Sequence, residues 1–405
     1  ESGEQQLELL LPEPARGFAR LPQPSEGDVF FDLEGDPFYE DGLEYLWGFV
    51  TDDSEGGSER FTSLWGRDRR EEREAFESFV DFVVERRERW PDLHVYHYAN
   101  YEITVLKRLA GRFTSREAEL DQLLRDGVFV DLYRVVVEAM RVGMPSYGLK
   151  HVEAFYMEER GTAVTDGADS VIEFEKWLDA GGADGGDPDI LARIEEYNRD
   201  DCVSTLRLRD WLLDRRTEAE DRFGEIEWFE RPEGERNEDA IQLEGEVAEL
   251  VEQLTAELPD DGADFSEADR ARELMSHVVT YHQREARPVW WAYFARIDGD
   301  HSELIDDIDC IGGLTEDEQT APQPTGRNST LHRLLLPAQE TKLGTENVHD
   351  PAAPSPSVEI KAIDPVAGWL ELRRGPAHAA NPLPQALIPG GPLPTTQHQA
   401  ALRRL

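Results

Sequence analysis

The sequence predicts an α/β layer fold with a mixed sheet flanked by helices, and three observations carry that reading. Strand-like runs follow one another at 28–34, 44–51 (EYLWGFVT) and 59–64. Helices and strands then alternate up to about residue 215. Finally, the apolar run at 28–34 belongs to the stretch DVFFDLEGDPFYE, in which Asp32 and Glu34 interrupt Val29, Phe30, Phe31 and Leu33. Alternate residues of a strand share a face, so these two carboxylates point the same way, and Gly35 and Pro37 stop the run just beyond them.

Taken in order, residues 1–27 are polar and spotted with Pro12, Pro14, Pro22 and Pro24, and read as an N-terminal linker. After the three strands, Phe76, Phe79, Val80, Val83 and Val84 fall at helical spacing within 69–89. Strand 93–97 (LHVYH) leads to a helix from about Tyr101 to Leu109. Strand 128–132 (VFVDL) leads to a helix near 132–141, with Asp131 as its cap. A short helix follows in SYGLKHVEAF. Residues 161–189 are a Gly- and Asp-rich insertion around the helical piece SVIEFEKWL, and a long helix from about Ile190 to Arg215 closes a domain spanning 28–215. A polar linker (216–237), a helical connector (238–314), an irregular linker (315–357) and a small β region (358–393) with a hairpin at 358–374 are expected next. The tail at 394–405 reads as the first turns of a helix.

The formal charge of −44 over 405 residues, with only five lysines (Lys107, Lys150, Lys176, Lys342 and Lys361), gives an acidic surface of the kind that keeps salt-adapted proteins soluble. Phosphate contacts need local positive charge, so nucleic-acid binding requires a basic patch on this acidic body. Cys202 and Cys310 cannot build a metal cage or a disulfide framework. No apolar run approaches 18 residues, which gives the expectation of a cytoplasmic chain with no membrane partner.

Four acids in the first domain point to chemistry. Besides Asp32 and Glu34, Glu102 follows strand 93–97 in HYANYE, and Asp201 lies in YNRDD, one helical turn after Tyr197. Asp200 is a rival for the last position. Carboxylates converging on one sheet edge repel unless cations compensate them, and hard oxygen donors suit Mg²⁺ or Mn²⁺. Two such ions about 4 Å apart can activate a water and stabilise a leaving oxygen in phosphodiester hydrolysis.

These motifs resemble the ribonuclease-H-like 3′–5′ exonucleases of the DEDD type, in their tyrosine variant, and most of all the YprB-type branch. FFDLEGDP corresponds to the first motif, HYANYE to the second and YNRDD to the third, over Asp28 to about Arg215. The resemblance implies a ribonuclease-H-like fold and two metal ions. Asp32 would bridge both, Glu34 and Asp201 would hold the ion that activates water, Glu102 would help to hold the other, and Tyr197 would orient the water. Glu102 stands where the wider superfamily has aspartate. His97, Lys150 and His151 are candidate contacts to the nucleic-acid backbone, each with a plainer alternative as a satisfied or solvated side chain. The segments YHQREARPVWW and DDIDCIGGL look like the connector of RecB-like nuclease–helicase proteins, in which a superfamily 1 helicase follows. PLPTTQHQAAL resembles the stretch just before that helicase's phosphate loop. No G-x-x-x-x-G-K-[ST] follows here, so the chain is expected to be a fragment ending short of the helicase core. Trp290 and Trp291 could stack bases, although aromatic helices are more often core.

The expected function is therefore a metal-dependent 3′–5′ exonuclease acting on a single-stranded 3′ end of DNA or RNA. The competing reading is an inactive module that binds nucleic acid or braces a helicase.

Overall fold

The computed structural model describes residues 6–52, 59–157, 167–230, 238–259, 264–299, 303–325, 328–353, 357–378 and 381–404. Residues 161–166 of the expected insertion and 231–237 of the expected second linker lie outside these. The chain divides into two units, Glu1–Arg236 and Asn237–Leu405.

The first unit opens with β1 (Leu7–Leu9) and a short 3-10 turn at Gly17–Arg20. β2 (Val29–Asp36), β3 (Leu43–Thr51) and β4 (Arg60–Trp65) follow as an antiparallel set. α1 (Arg69–Arg89) returns the chain to β5 (Val95–His97), which pairs parallel with β2. α2 (Tyr101–Phe113) and α3 (Glu117–Arg125) lead to β6 (Phe129–Asp131), parallel with β5. The sheet order is thus β4-β3-β2-β5-β6, a mixed sheet with helices against it. α4 (Leu132–Ala139), β7 (Met140–Val142), α5 (Leu149–Val152), α6 (Gly167–Asp179) and α7 (Pro188–Phe223) complete the unit.

β2 is buried on both faces, which explains why its sequence reads as almost continuously apolar. Phe31 stacks on Phe79 of α1 at 4.0 Å between ring centroids, so the Phe31–Leu33 face belongs to the α1 side. Phe30, Asp32 and Glu34 take the other face, which α7 covers. α7 starts at Asp187, whose side chain accepts from Asp189 N at 3.0 Å, with Pro188 in its first turn. Its buried stripe Ile194, Tyr197, Asn198, Asp201, Cys202, Thr205, Leu208 and Leu212 has the three-and-four spacing of an amphipathic helix.

Four expectations change in this unit. Residues 7–21, expected as linker, pack on the domain. Leu7 and Leu9 pair with Val142 and Met140, and Phe18 and Leu21 are buried. The apolar residues among the prolines carried that signal. The helix expected to 141 stops at Ala139 because Met140–Val142 is drawn into pairing with β1. α3 was not foreseen. Its run is rich in charge and buries only Leu120 and Leu123. α7 runs two turns past Arg215, since the stripe continues through Arg216 and Ala219. The Arg216 guanidinium stacks on Trp228 at 3.7 Å and donates to the carbonyls of Phe18 and Ile226.

In the second unit, α8 (Glu238–Thr255) and α9 (Glu267–Asp298) are followed by an antiparallel sheet. A capping box between Ser266 and Asp269 starts α9. The range 315–357, expected to be irregular, supplies β8 (Thr315–Glu316), β9 (Gln323–Thr325), β10 (Ser329–Leu335) and β11 (Asn347–His349). These join the foreseen hairpin, β12 (Ser357–Asp364) and β13 (Trp369–Arg374), in the order β11-β12-β13-β10-β8, with β9 also on β10. Their short lengths and their prolines hid them. Leu334, Val348, Ile360, Leu370 and Leu372 form the core of this sheet. α10 (Thr396–Leu402) ends the described chain. Trp291 is buried, and Trp290 is partly exposed and stacks on Phe294 at 5.5 Å. Among the described residues no helix is long and apolar enough to cross a membrane.

Candidate metal centre

β2 and β5 pair only through Val29–Val95 and Phe30–Tyr96. Beyond Phe30 the two parallel strands part, and ligands of open α/β sheets gather at such carboxyl ends. Asp32 and Glu34 lie just past that point, Asp32 opposite Gly48 and Glu34 opposite Leu46 of β3. A register shift between Glu34 and Gly35 ends the regular ladder beside them.

α7 lays Asp201 against this strand end. Asp32, Glu34 and Asp201 each offer a carboxylate oxygen, and the three oxygens lie within 4.8 Å of one another. Asp200 has no place in this group. Its carboxylate turns to Arg199, 3.6 Å away. The spacing from Tyr197 therefore selects the right acid, because an i, i+4 pair shares a helix face. Tyr197 is buried. Desolvation, and then the carboxylates of Asp201, Glu34 and Asp32, push its hydroxyl well above the ordinary phenol range, so it faces the same three acids.

Glu102, at the start of α2, is also buried but stands outside the close group. Its Oε2 lies 3.5 Å from His97 Nδ1 and has no hydrogen-bond partner. His97 was a candidate backbone contact, yet it is sealed in the core. Its Nδ1 sits 2.7 Å from the Ala99 carbonyl oxygen, and it backs Glu102 rather than facing a strand. Burial pulls the imidazole down, but the Glu102 and Asp131 carboxylates and that carbonyl outweigh it and hold His97 above its usual value. Asp131 caps α4 by accepting from Tyr133 N at 2.9 Å, as expected, and also accepts from Ala99 N.

Lys150 reaches into the acids. Its Nζ donates to Asp201 Oδ1 at 2.6 Å and lies 4.6 Å from the centre of the Tyr197 ring. The neighbouring His151 faces Ser146 Oγ at 2.7 Å, outside the cluster.

Two residues of the site were not foreseen. Asn198 is fully buried and donates from Nδ2 to Asp32 Oδ2 at 2.7 Å, while its Oδ1 has no partner. It can enter only because Gly48 stands opposite Asp32, where a Cβ would overlap Asn198 Oδ1. A glycine inside an otherwise bulky strand is a signal of such close approach. Ser170 of α6 hydrogen-bonds Glu34, and its Oγ lies 2.7 Å from the Tyr45 hydroxyl.

The electrostatics are those of a site short of positive charge. Burial first, then the carboxylates of Asp201, Glu34 and Glu102, hold Asp32 well above the carboxylate range. Burial and the Asp201 carboxylate push Glu34 up to about 8, against the Ser170 hydrogen bond and the Lys150 ammonium. Burial likewise raises Glu102. Three converging carboxylates with unpartnered buried oxygens beside them fit a hard divalent cation, which would bring the charge these groups lack.

A layered mixed sheet with this acid cluster at its parting strands defines an RNase H-like domain. The family model of the RNase H superfamily matches residues 29–213, the stretch from β2 to the middle of α7 that holds every residue of the cluster. No curated protein and no solved structure matches the chain. Family match and acidic triad together point to nuclease-type chemistry.

Proposed function

We propose that the first unit is a divalent-metal-dependent nuclease, specifically a 3′–5′ exonuclease that hydrolyses phosphodiester bonds of single-stranded DNA or RNA. The single observation that carries this reading is the convergence of Asp32, Glu34 and Asp201 within 4.8 Å, with Tyr197 one helical turn before Asp201. Asp32, Glu34 and Asp201 would hold the ion, and an ion there supplies a Lewis acid that lowers the pKa of water and balances charge on the phosphate. Tyr197 directs its hydroxyl toward the acids and so orients the attacking water. Asn198 fixes the Asp32 carboxylate, and Glu102 with His97 closes the floor of the site. His151, on the same turn as Lys150 and outside the acid cluster, is the remaining candidate contact to the phosphate backbone.

The end-directed polarity and the YprB-type placement rest on the Y-x-x-x-D spacing and on Glu102 in the second motif. Association with a superfamily 1 helicase rests on the resemblance of DDIDCIGGL and PLPTTQHQAAL. The two cysteines are buried and unpaired, which supports a reducing, cytoplasmic setting.

The test is incubation with 5′-labelled single-stranded DNA and RNA in Mn²⁺, Mg²⁺ or EDTA, beside Asp32→Ala. A metal-dependent ladder shrinking from the 3′ end, absent in the variant, establishes the activity and its substrate. Intact strands under every condition leave a bracing or binding module in its place. Internal cuts would make it an endonuclease.

A further inference from the structure

Lys150 has a setting unlike that of Lys176, Lys342 or Lys361. Lys176, Lys342 and Lys361 pair with carboxylates that are themselves partly or well exposed. Lys150 instead meets Asp201, whose side chain is only 9% exposed, and lies over the face of buried Tyr197. Its ammonium bonds Asp201, whose carboxylate lies within 4.8 Å of those of Asp32 and Glu34. The turn that carries it is fixed to the domain. Val152 of α5 is buried, and the Tyr98 hydroxyl donates to the Tyr147 carbonyl just before the turn. Nearly every other cation in this chain is an arginine, whose planar fork would span a carboxylate. At position 150 a compact ammonium brings one fixed positive charge to the three converging acids.

Charge and ligand supply agree. The close group contains three carboxylates, which one divalent ion and one ammonium balance. The acid that a second ion would need, Glu102, stands outside that group and is turned toward His97.

Resting on the reading of the triad as a metal centre, we propose that Lys150 takes the place of the second cation, so that the site holds a single divalent ion on Asp32, Glu34 and Asp201. As a fixed group of the chain, Lys150 then supplies the charge that a second ion would bring, and it departs from the two-ion arrangement expected from the motifs. Replacing it by a neutral side chain opens room and charge for another ion.

The measurement is the stoichiometry of Mn²⁺ binding to the full, EDTA-stripped chain, by calorimetry and by the paramagnetic resonance of free Mn²⁺. The wild type, Lys150→Met and Lys150→Arg are compared, with circular dichroism to check folding. One ion in the wild type and in Lys150→Arg, and two in Lys150→Met, are expected. Two ions in the wild type overturn the inference whatever the variants do, while leaving the nuclease reading intact. One ion in both the wild type and Lys150→Met, at unchanged affinity, removes the role assigned to Lys150. No ion in any of the three proteins overturns this inference and the metal-centre reading together.

Discussion

Two groups of buried acids sit on the first unit, and they are treated in opposite ways. The side chains of Asp28, Glu44, Glu72 and Glu138 are each buried and each meets arginine. Asp28 takes Arg209 at 2.9 Å and the backbone N–H of His94, and Glu138 takes Arg20 at 2.6 Å and the Gly17 N–H. Glu44 takes Arg108 and the Tyr101 hydroxyl, and Glu72 takes Arg69 at 2.7 Å. Asp32, Glu34 and Asp201 face one another instead, with one lysine and one asparagine among them. Among the described residues, the first four acids are each matched by a guanidinium, whereas the three converging carboxylates share one ammonium, an arrangement suited to a cation from outside. Burial alone does not mark a functional acid; convergence with other buried carboxylates does.

The largest expected effect sharpens that contrast. Asp32→Ala should lower phosphodiester hydrolysis by about 10³-fold or more, some 4 kcal/mol of barrier. In EDTA its melting temperature should hold or rise, because a repelling charge has gone. A matching loss of stability would make Asp32 a structural acid. Asp28→Ala is the converse case. It strips a buried partner from Arg209 and should cost about 3 kcal/mol in urea unfolding, with kcat of the folded fraction unchanged. An unaltered unfolding midpoint would break the comparison.

Gly48→Ala should come next. The added Cβ displaces Asn198 and frees the Asp32 carboxylate, so about 2 kcal/mol of stability and roughly tenfold in activity should go together. Recovery of stability but not of activity in the double variant Gly48→Ala, Asn198→Ala would trace the stability loss to that overlap and the activity loss to the freed Asp32.

The smallest effect is the response of the metal-free protein to pH. Glu34 is held at about 8 against an ordinary 4.5, so the folded chain keeps a proton that the unfolded chain has lost. Stability contributed by that proton is present below the unfolded value and falls as pH rises toward 8. Melting in EDTA should therefore drop across that window, and Mg²⁺ or Mn²⁺ should restore most at its upper end. A flat profile would mean that the triad is solvated.

Much of the site was legible before any coordinates. The D-x-E pair reads from strand periodicity, and Tyr197 with Asp201 reads from helical spacing, because both are local periods of the backbone. Asn198 was not legible as a site residue even though it lies inside YNRDD, since its value comes from Gly48 on a different strand. Lys150 could be singled out as a basic residue beginning a helix but not placed among the acids. His97 could be placed at a strand end but not sealed behind Glu102.

By itself, then, the sequence determined most of the strands and helices between residues 28 and 215, which face of β2 carries its acids and which acid of YNRDD joins them. These are properties of two- and 3.6-residue periods acting within one element. Tertiary structure alone decided that Leu7–Leu9 and Met140–Val142 would pair, that the range 315–357 would build a sheet, and that one ammonium would enter a cluster of three carboxylates. Such pairings join residues tens to hundreds of positions apart, and their energy comes from burial and charge met across the fold rather than from any pattern along the chain.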